Sequence, residues 1–103
     1  MGHATAATSF YATALGAYTV ASGDCSVAMG HATIASGIHS TSMGKETIAS
    51  GSFSTALGRD THASGTYSLA SGRGTQAQGS FASAMGYETT AESYAEVVLG
   101  RYK

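Results

Sequence analysis

The sequence predicts an all-β fold, a parallel β-solenoid of seven fourteen-residue coils that associates with copies of itself. Three observations carry this expectation: glycine recurs every seventh residue, heptads of two kinds alternate, and alternate positions of the heptads almost always hold small side chains.

The glycine register comes first, because a missed repeat miscalls the whole fold. Gly16, Gly23, Gly30, Gly37, Gly44, Gly51, Gly58, Gly65, Gly72, Gly79 and Gly86 are evenly spaced, Ser93 takes one place, and Gly100 returns to the register. Gly74 lies off it. From His3 to Gly100 the chain divides into heptads without insertion. The first type reads DCSVAMG, IHSTSMG or SFSTALG; the second reads AYTVASG, HATIASG or KETIASG. A seven-residue period also suits a coiled coil, but no leucine seam is present. A glycine in every second helical turn costs about 1 kcal/mol each. Two short strands per coil remain, each ended by a glycine whose positive φ makes a tight turn. All twelve register glycines are therefore expected at turns.

Strand alternation then assigns the faces. The third and fifth positions are almost always Ser, Thr or Ala, and a fourteen-residue coil has room inside only for such residues. The expected interior columns are Thr19, Thr33, Thr47, Thr61, Thr75 and Thr89 beside Ala21, Ala35, Ala49, Ala63, Ala77 and Ala91. Their hydroxyls are expected to hydrogen-bond within the ladder. The large apolar residues must face outward: Leu15, Val27 with Met29, Met43, Leu57, Leu69, Met85, and Val97 with Leu99. An aromatic column of Tyr11, His39, Phe53, Tyr67 and Phe81 runs beside them, with Cys25 in the same place. The matching second-type positions are Ser22, Ser36, Ser50, Ser64, Gln78 and Glu92, which makes the other face mostly polar. An apolar stripe of that length calls for self-association.

Composition narrows the partners. The net charge of -1 gives no reason to expect nucleic acid or direct contact of this segment with a membrane. A lone cysteine excludes a disulfide framework. No apolar run approaches the ~20 residues of a membrane helix. Met1-Gly2-His3 has no signal-peptide character, so export parts are expected outside this chain. The organisation expected is one repeat domain over 1–103, with seven repeats over 3–100 and a last rung and exit segment over 94–103, within a longer surface protein.

Ser26-Val27-Ala28-Met29-Gly30 followed by Thr33, Ala35 and Gly37 resembles the head repeat of YadA-like trimeric autotransporter adhesins. Ser54-Thr55-Ala56-Leu57-Gly58 followed by Thr61, Ala63 and Gly65 does so again. The resemblance implies a left-handed parallel β-roll, a homotrimer packed through the outward stripe, and display at the bacterial cell surface, facing outward from the outer membrane. It also implies adhesion to host-surface or extracellular-matrix protein, with a role in virulence. The departures are Ser71, which interrupts the apolar column, and the polar rung from Arg73 to Gly79.

No catalytic, cofactor or metal site is expected. His3 and His31 stand two rungs apart, roughly 9–10 Å by strand spacing, and His62 is alone in its column. His39 is placed near the threefold axis, where packing in the aromatic column is the better reading. Arg59-Asp60-Thr61-His62 shows no activated nucleophile. The run from Gly72 to Gly79 lacks the lysine of a phosphate loop. Adhesion is expected to use the exposed Asp24, Lys45, Arg59, Arg73 and Tyr87, with Glu46, Asp60 and Glu88. The rival functions are a structural fibre or spacer module of a phage or cell-surface protein and, further off, an ice-binding solenoid.

Overall fold

A computed structural model describes residues 2–3 and 5–101. Each coil contributes one longer strand and one of two residues. The longer strands, Thr13–Ala17, Val27–His31, Thr41–Lys45, Thr55–Arg59, Leu69–Arg73, Ser83–Tyr87 and Val97–Arg101, follow Gly2–His3 in chain order across one parallel sheet. Ala6–Ala7, Val20–Ala21, Ile34–Ala35, Ile48–Ala49, His62–Ala63, Gln76–Ala77 and Thr90–Ala91 build a second. Register advances by fourteen residues at every step, so Gly30 lies opposite Gly44 and Ala35 opposite Ala49. The solenoid measures 36 × 20 × 10 Å. Its length matches seven rungs at about 4.8 Å each.

Alternation along the strands sorts the side chains. In the coil from Asp24 to Gly37, Ser26, Ala28, Thr33 and Ala35 point inward and are fully buried. Val27, Met29 and Ile34 alternate with them and are half-buried. The threonine column from Thr19 to Thr89 and the alanine column from Ala21 to Ala91 are both closed to solvent.

The expected pairing of the interior hydroxyls holds at only a few places. Ser42 Oγ and Thr47 Oγ1 are 2.6 Å apart, Ser54 Oγ donates to Gly51 O at 2.6 Å, and Thr89 Oγ1 donates to Met85 O at 3.4 Å. Thr19, Ser26, Thr33, Ser40, Thr61, Ser68 and Thr75 have no side-chain partner. For the threonines the reason is positional. Among the described residues only the Ser42 rung carries a hydroxyl facing the threonine; Ala14, Ala28, Ala56 and Ala70 occupy that place in neighbouring coils. A methyl cannot accept a hydrogen bond. The ladder itself is well made, with Ile34 N donating to Thr47 O and Ile48 N to Thr61 O, each at 2.9 Å.

The register glycines do not carry the left-handed φ of the turns as expected, although Gly23, Gly37, Gly51, Gly65 and Gly79 each open a turn, as Ser40 N donates to Gly37 O at 3.2 Å. Positive φ of 54–61° falls instead on the second residue of the heptads: Tyr11, Cys25, His39, Phe53, Tyr67, Phe81 and Ala95 in one column, Tyr18, Ala32, Glu46, Asp60 and Glu88 in the other. An L-residue there costs on the order of 1 kcal/mol or more. Their amides are engaged with the rung before, as Phe53 N donates to Ile38 O at 2.7 Å and Asp60 N to Lys45 O at 3.0 Å. Off-register Gly74, with φ of 68°, occupies this same left-handed position. Of the register glycines, Gly16, Gly30, Gly44, Gly58, Gly72, Gly86 and Gly100 have φ of 109–119° but lie within the longer strands. Gly23, Gly37, Gly51, Gly65 and Gly79 are absent from the positive-φ set, and close approach explains them. A Cβ on Gly37 would stand 2.0 Å from Gly51 O.

Glu96 replaces the serine found at the same place in Ser26, Ser40, Ser54 and Ser68. Its Oε1 accepts from Glu92 N at 2.8 Å and Ser93 N at 3.0 Å. One rung earlier, the equivalent amides of Gln78 and Gly79 both donate to Ala91 O. The carboxylate thus takes the place of a following rung's carbonyl, blunting the edge of the second sheet.

Two stability predictions follow from this packing. Gly37→Ala should cost on the order of 3 kcal/mol or more, because backbone must move, whereas Gly74→Ala should cost only about 1–2 kcal/mol, set by its left-handed φ, since its nearest neighbour is the flexible Glu88 Cγ at 3.1 Å. Equal melting temperatures for the two variants would contradict the assignment. Ala56→Ser should pair with Thr61 and stabilise by about 0.5–1.5 kcal/mol, and Ser42→Ala should shift urea unfolding the other way.

Candidate functional site

With an interior of small side chains, everything that can recognise another molecule stands on the outward columns. On the first sheet these are two. Leu15, Met29, Met43, Leu57, Ser71, Met85 and Leu99 are in register along one. Val27, Leu69 and Val97 belong to the adjacent one, interleaved with Thr41, Thr55 and Ser83, two residues earlier on the same face. Met29, Met43, Leu57, Leu69 and Met85 are half-buried, while Leu15, Val97 and Leu99 are exposed. In the single chain this is a nearly continuous apolar strip open to solvent.

The aromatic column bounds that strip. His39 and Phe53 have ring centroids 5.0 Å apart, Phe53 and Tyr67 4.9 Å, and Tyr67 and Phe81 5.0 Å, with planes within 7° of parallel. The rung spacing imposes this distance, and the repeated left-handed backbone aims the side chains alike. Tyr11 is almost fully exposed at one end, and Cys25 carries a free, half-buried thiol in the same column. His39 is therefore a stacking residue in the chain.

The corner after the first-type glycine carries charge. Lys45, Arg59 and Arg73 lie directly in register on neighbouring strands. Like charges so placed repel, and Glu46, Asp60 and Glu88 stand next in the chain to this column. Arg59 Nε is 3.6 Å from Asp60 Oδ2, with both side chains about half exposed, so the pair contributes little. Arg73 and Arg101 flank Tyr87, their guanidinium carbons 5.5 and 5.8 Å from its ring centroid. Such cation–π contacts at an exposed site add about 0.5–1 kcal/mol. Asp24 instead accepts a hydrogen bond from Ser9 Oγ.

The outer face of the second sheet differs from its expected polar character. Val20, Ile34 and Ile48 form a short apolar column there, succeeded in register by His62, Gln76 and Thr90. The serines Ser22, Ser36, Ser50 and Ser64 run beside it and give way to Gln78 and Glu92. The alternation that placed Thr and Ala inward also required these residues to face outward. The threonine column offers nothing to an ice surface, because it is buried.

The histidines are dispersed. His31 meets Tyr18 edge-on at 5.8 Å, His62 lies on the second sheet, and the side chain of His3 is outside the described residues. Among the described residues no group of three or more His, Cys, Asp or Glu gathers as a metal set would.

The sequence profile of the YadA head domain repeat matches residues 7–33, 35–61 and 63–91. The chain belongs to the YadA head domain repeat family. No curated protein matches it. Each matched YadA head segment spans about two coils, so the profile and the strand register describe one periodicity. YadA head repeats are structural modules of surface-exposed adhesins. In this chain, the variation such a module can use for recognition is confined to the outward columns just described.

Proposed function

We propose that this YadA head segment is the attachment surface of a bacterial adhesin, working as a homotrimer, without catalysis, through many weak contacts to host or matrix ligands. The observation that carries the reading is the apolar strip along the first sheet. Burying the open half of a Leu, Met or Val contributes about 1 kcal/mol. Summed over Leu15, Val27, Met29, Met43, Leu57, Leu69, Met85, Val97 and Leu99, that reaches the ~4–15 kcal/mol an association costs. Three chains around an axis bring the strips together and leave the second sheets and charged corners outward. A closed ring also uses the strip without leaving an open end for further growth.

Attachment through repetition suits these remaining surfaces. They are shallow and recur rung by rung, so affinity comes from simultaneous engagement. The competing reading, a spacer that holds another domain away from the cell, is favoured by the uniformity of most rungs.

Met29→Asp and Leu57→Asp would each place three carboxylates near one axis and should abolish the trimer in sedimentation experiments. A wild-type chain that sediments as a folded monomer at micromolar concentration overturns the assembly. For function, beads densely coated with the chain should adhere to matrix-coated plates and host cells far better than beads carrying an unrelated β-solenoid. Equal adhesion leaves only the spacer role.

A further inference from the structure

We propose that the depression lined by His62, Ser64, Gln76 and Gln78 on the outer face of the second sheet is a binding site for a neutral, hydroxyl-rich ligand, a glycan. The inference rests on the attachment reading above and names the ligand class for one part of that surface. The depression is open, with all four lining residues exposed, and has a volume of about 420 Å³.

The repeat does not account for His62, Gln76 and Gln78. His62 and Gln76 are in register with Ile48 in the preceding rung, and all three point outward. Gln78 takes the place that Ser22, Ser36, Ser50 and Ser64 hold in the four preceding coils. The interior neighbours Ala63 and Ala77 are unchanged and fully buried. The same rung carries Ser71 on the first sheet and Gly74 at the left-handed turn position. Two adjacent rungs thus give up apolar surface while keeping every residue that closes the coil.

The chemistry of the lining selects the ligand. Gln78 Nε2 donates to Gln76 Oε1 at 2.6 Å, which fixes the two amides relative to one another. With the Ser64 hydroxyl and the His62 imidazole they present both donors and acceptors. Sugar hydroxyls, which donate and accept at once, match such a set. A polyanion would be served instead by Lys45, Arg59 and Arg73 at the corner. Geometry agrees with the chemistry: adjacent rungs are about 4.8 Å apart and alternate residues about 6.6 Å apart. The four side chains therefore mark out a grid on the order of one pyranose ring.

The test is a surface array of neutral oligosaccharides terminating in glucose, galactose, mannose or N-acetylglucosamine, probed with bead-displayed full chain. The variants use residues from equivalent rungs, Gln76→Thr as at Thr90 and Gln78→Ser as at Ser64, so that folding is preserved. We expect retention on at least one glycan, lost at least tenfold in the double variant with the melting temperature unchanged. Absence of retention on every glycan, or retention undiminished in the double variant, overturns the site. So does binding to gelatin peptides, and not to glycans, that the double variant loses. Host-cell adhesion read in parallel separates the two claims. Wild-type adhesion undiminished in the double variant rejects the site and leaves attachment standing. Glycan retention without adhesion to either cells or matrix-coated plates supports the site and removes the attachment reading.

Discussion

The close approach of backbone between rungs is the constraint from which the other features descend. At Gly30 an added Cβ would lie 2.0 Å from Gly44 O, and at Gly37 the same distance from Gly51 O. These contacts occur on both sides of the coil, so the rungs stack tightly at both. With fourteen residues to a coil the cross-section is about 10 Å thick, and the buried interior is limited to the side chains of Ala, Ser and Thr. Thr19, Thr33, Thr47, Thr61, Thr75 and Thr89 are among the largest fully buried side chains.

A core of this kind yields little hydrophobic stabilisation. Burying an alanine removes far less apolar area than burying a leucine, and several interior hydroxyls remain without partners. The backbone ladders and the outward columns must supply the rest. Stacking from His39 through Phe81 is one contribution, and amides of the left-handed residues donating across rungs are another. The apolar strip is the largest reserve, and it is realised only when another chain covers it. The weak interior and the proposed assembly therefore have one origin in the narrow coil.

The same constraint separates structure from recognition. Inward positions repeat because nothing larger fits, while outward positions are free to change from rung to rung. Ile48 can become His62 and Gln76 without disturbing Ala49, Ala63 or Ala77. Successive changes build a surface in which neighbouring side chains are held at the rung spacing by the ladder. Lys45, Arg59 and Arg73 at the corner, and the amides of Gln76 and Gln78 on the second sheet, are products of that arrangement.

The period, the parallel coils and the small inward side chains were legible in the sequence, because a strict repeat with alternating size has few physical solutions. The alignment of His39, Phe53, Tyr67 and Phe81 was legible for the same reason. What the turns require was decided only in the tertiary structure. Propensity assigns positive φ to glycine, yet Phe53, Asp60 and Glu88 adopt it here because amide bonds to the rung before hold them there. Gly37 and Gly51 do open turns, but what demands glycine there is a carbonyl fourteen residues away, a contact no local reading contains. Glu96 likewise reads as a departure from a serine column until its carboxylate is seen accepting the amides of Glu92 and Ser93. The periodic pattern determined which residues face inward; the meeting of successive rungs decided what each backbone atom and each exposed side chain does.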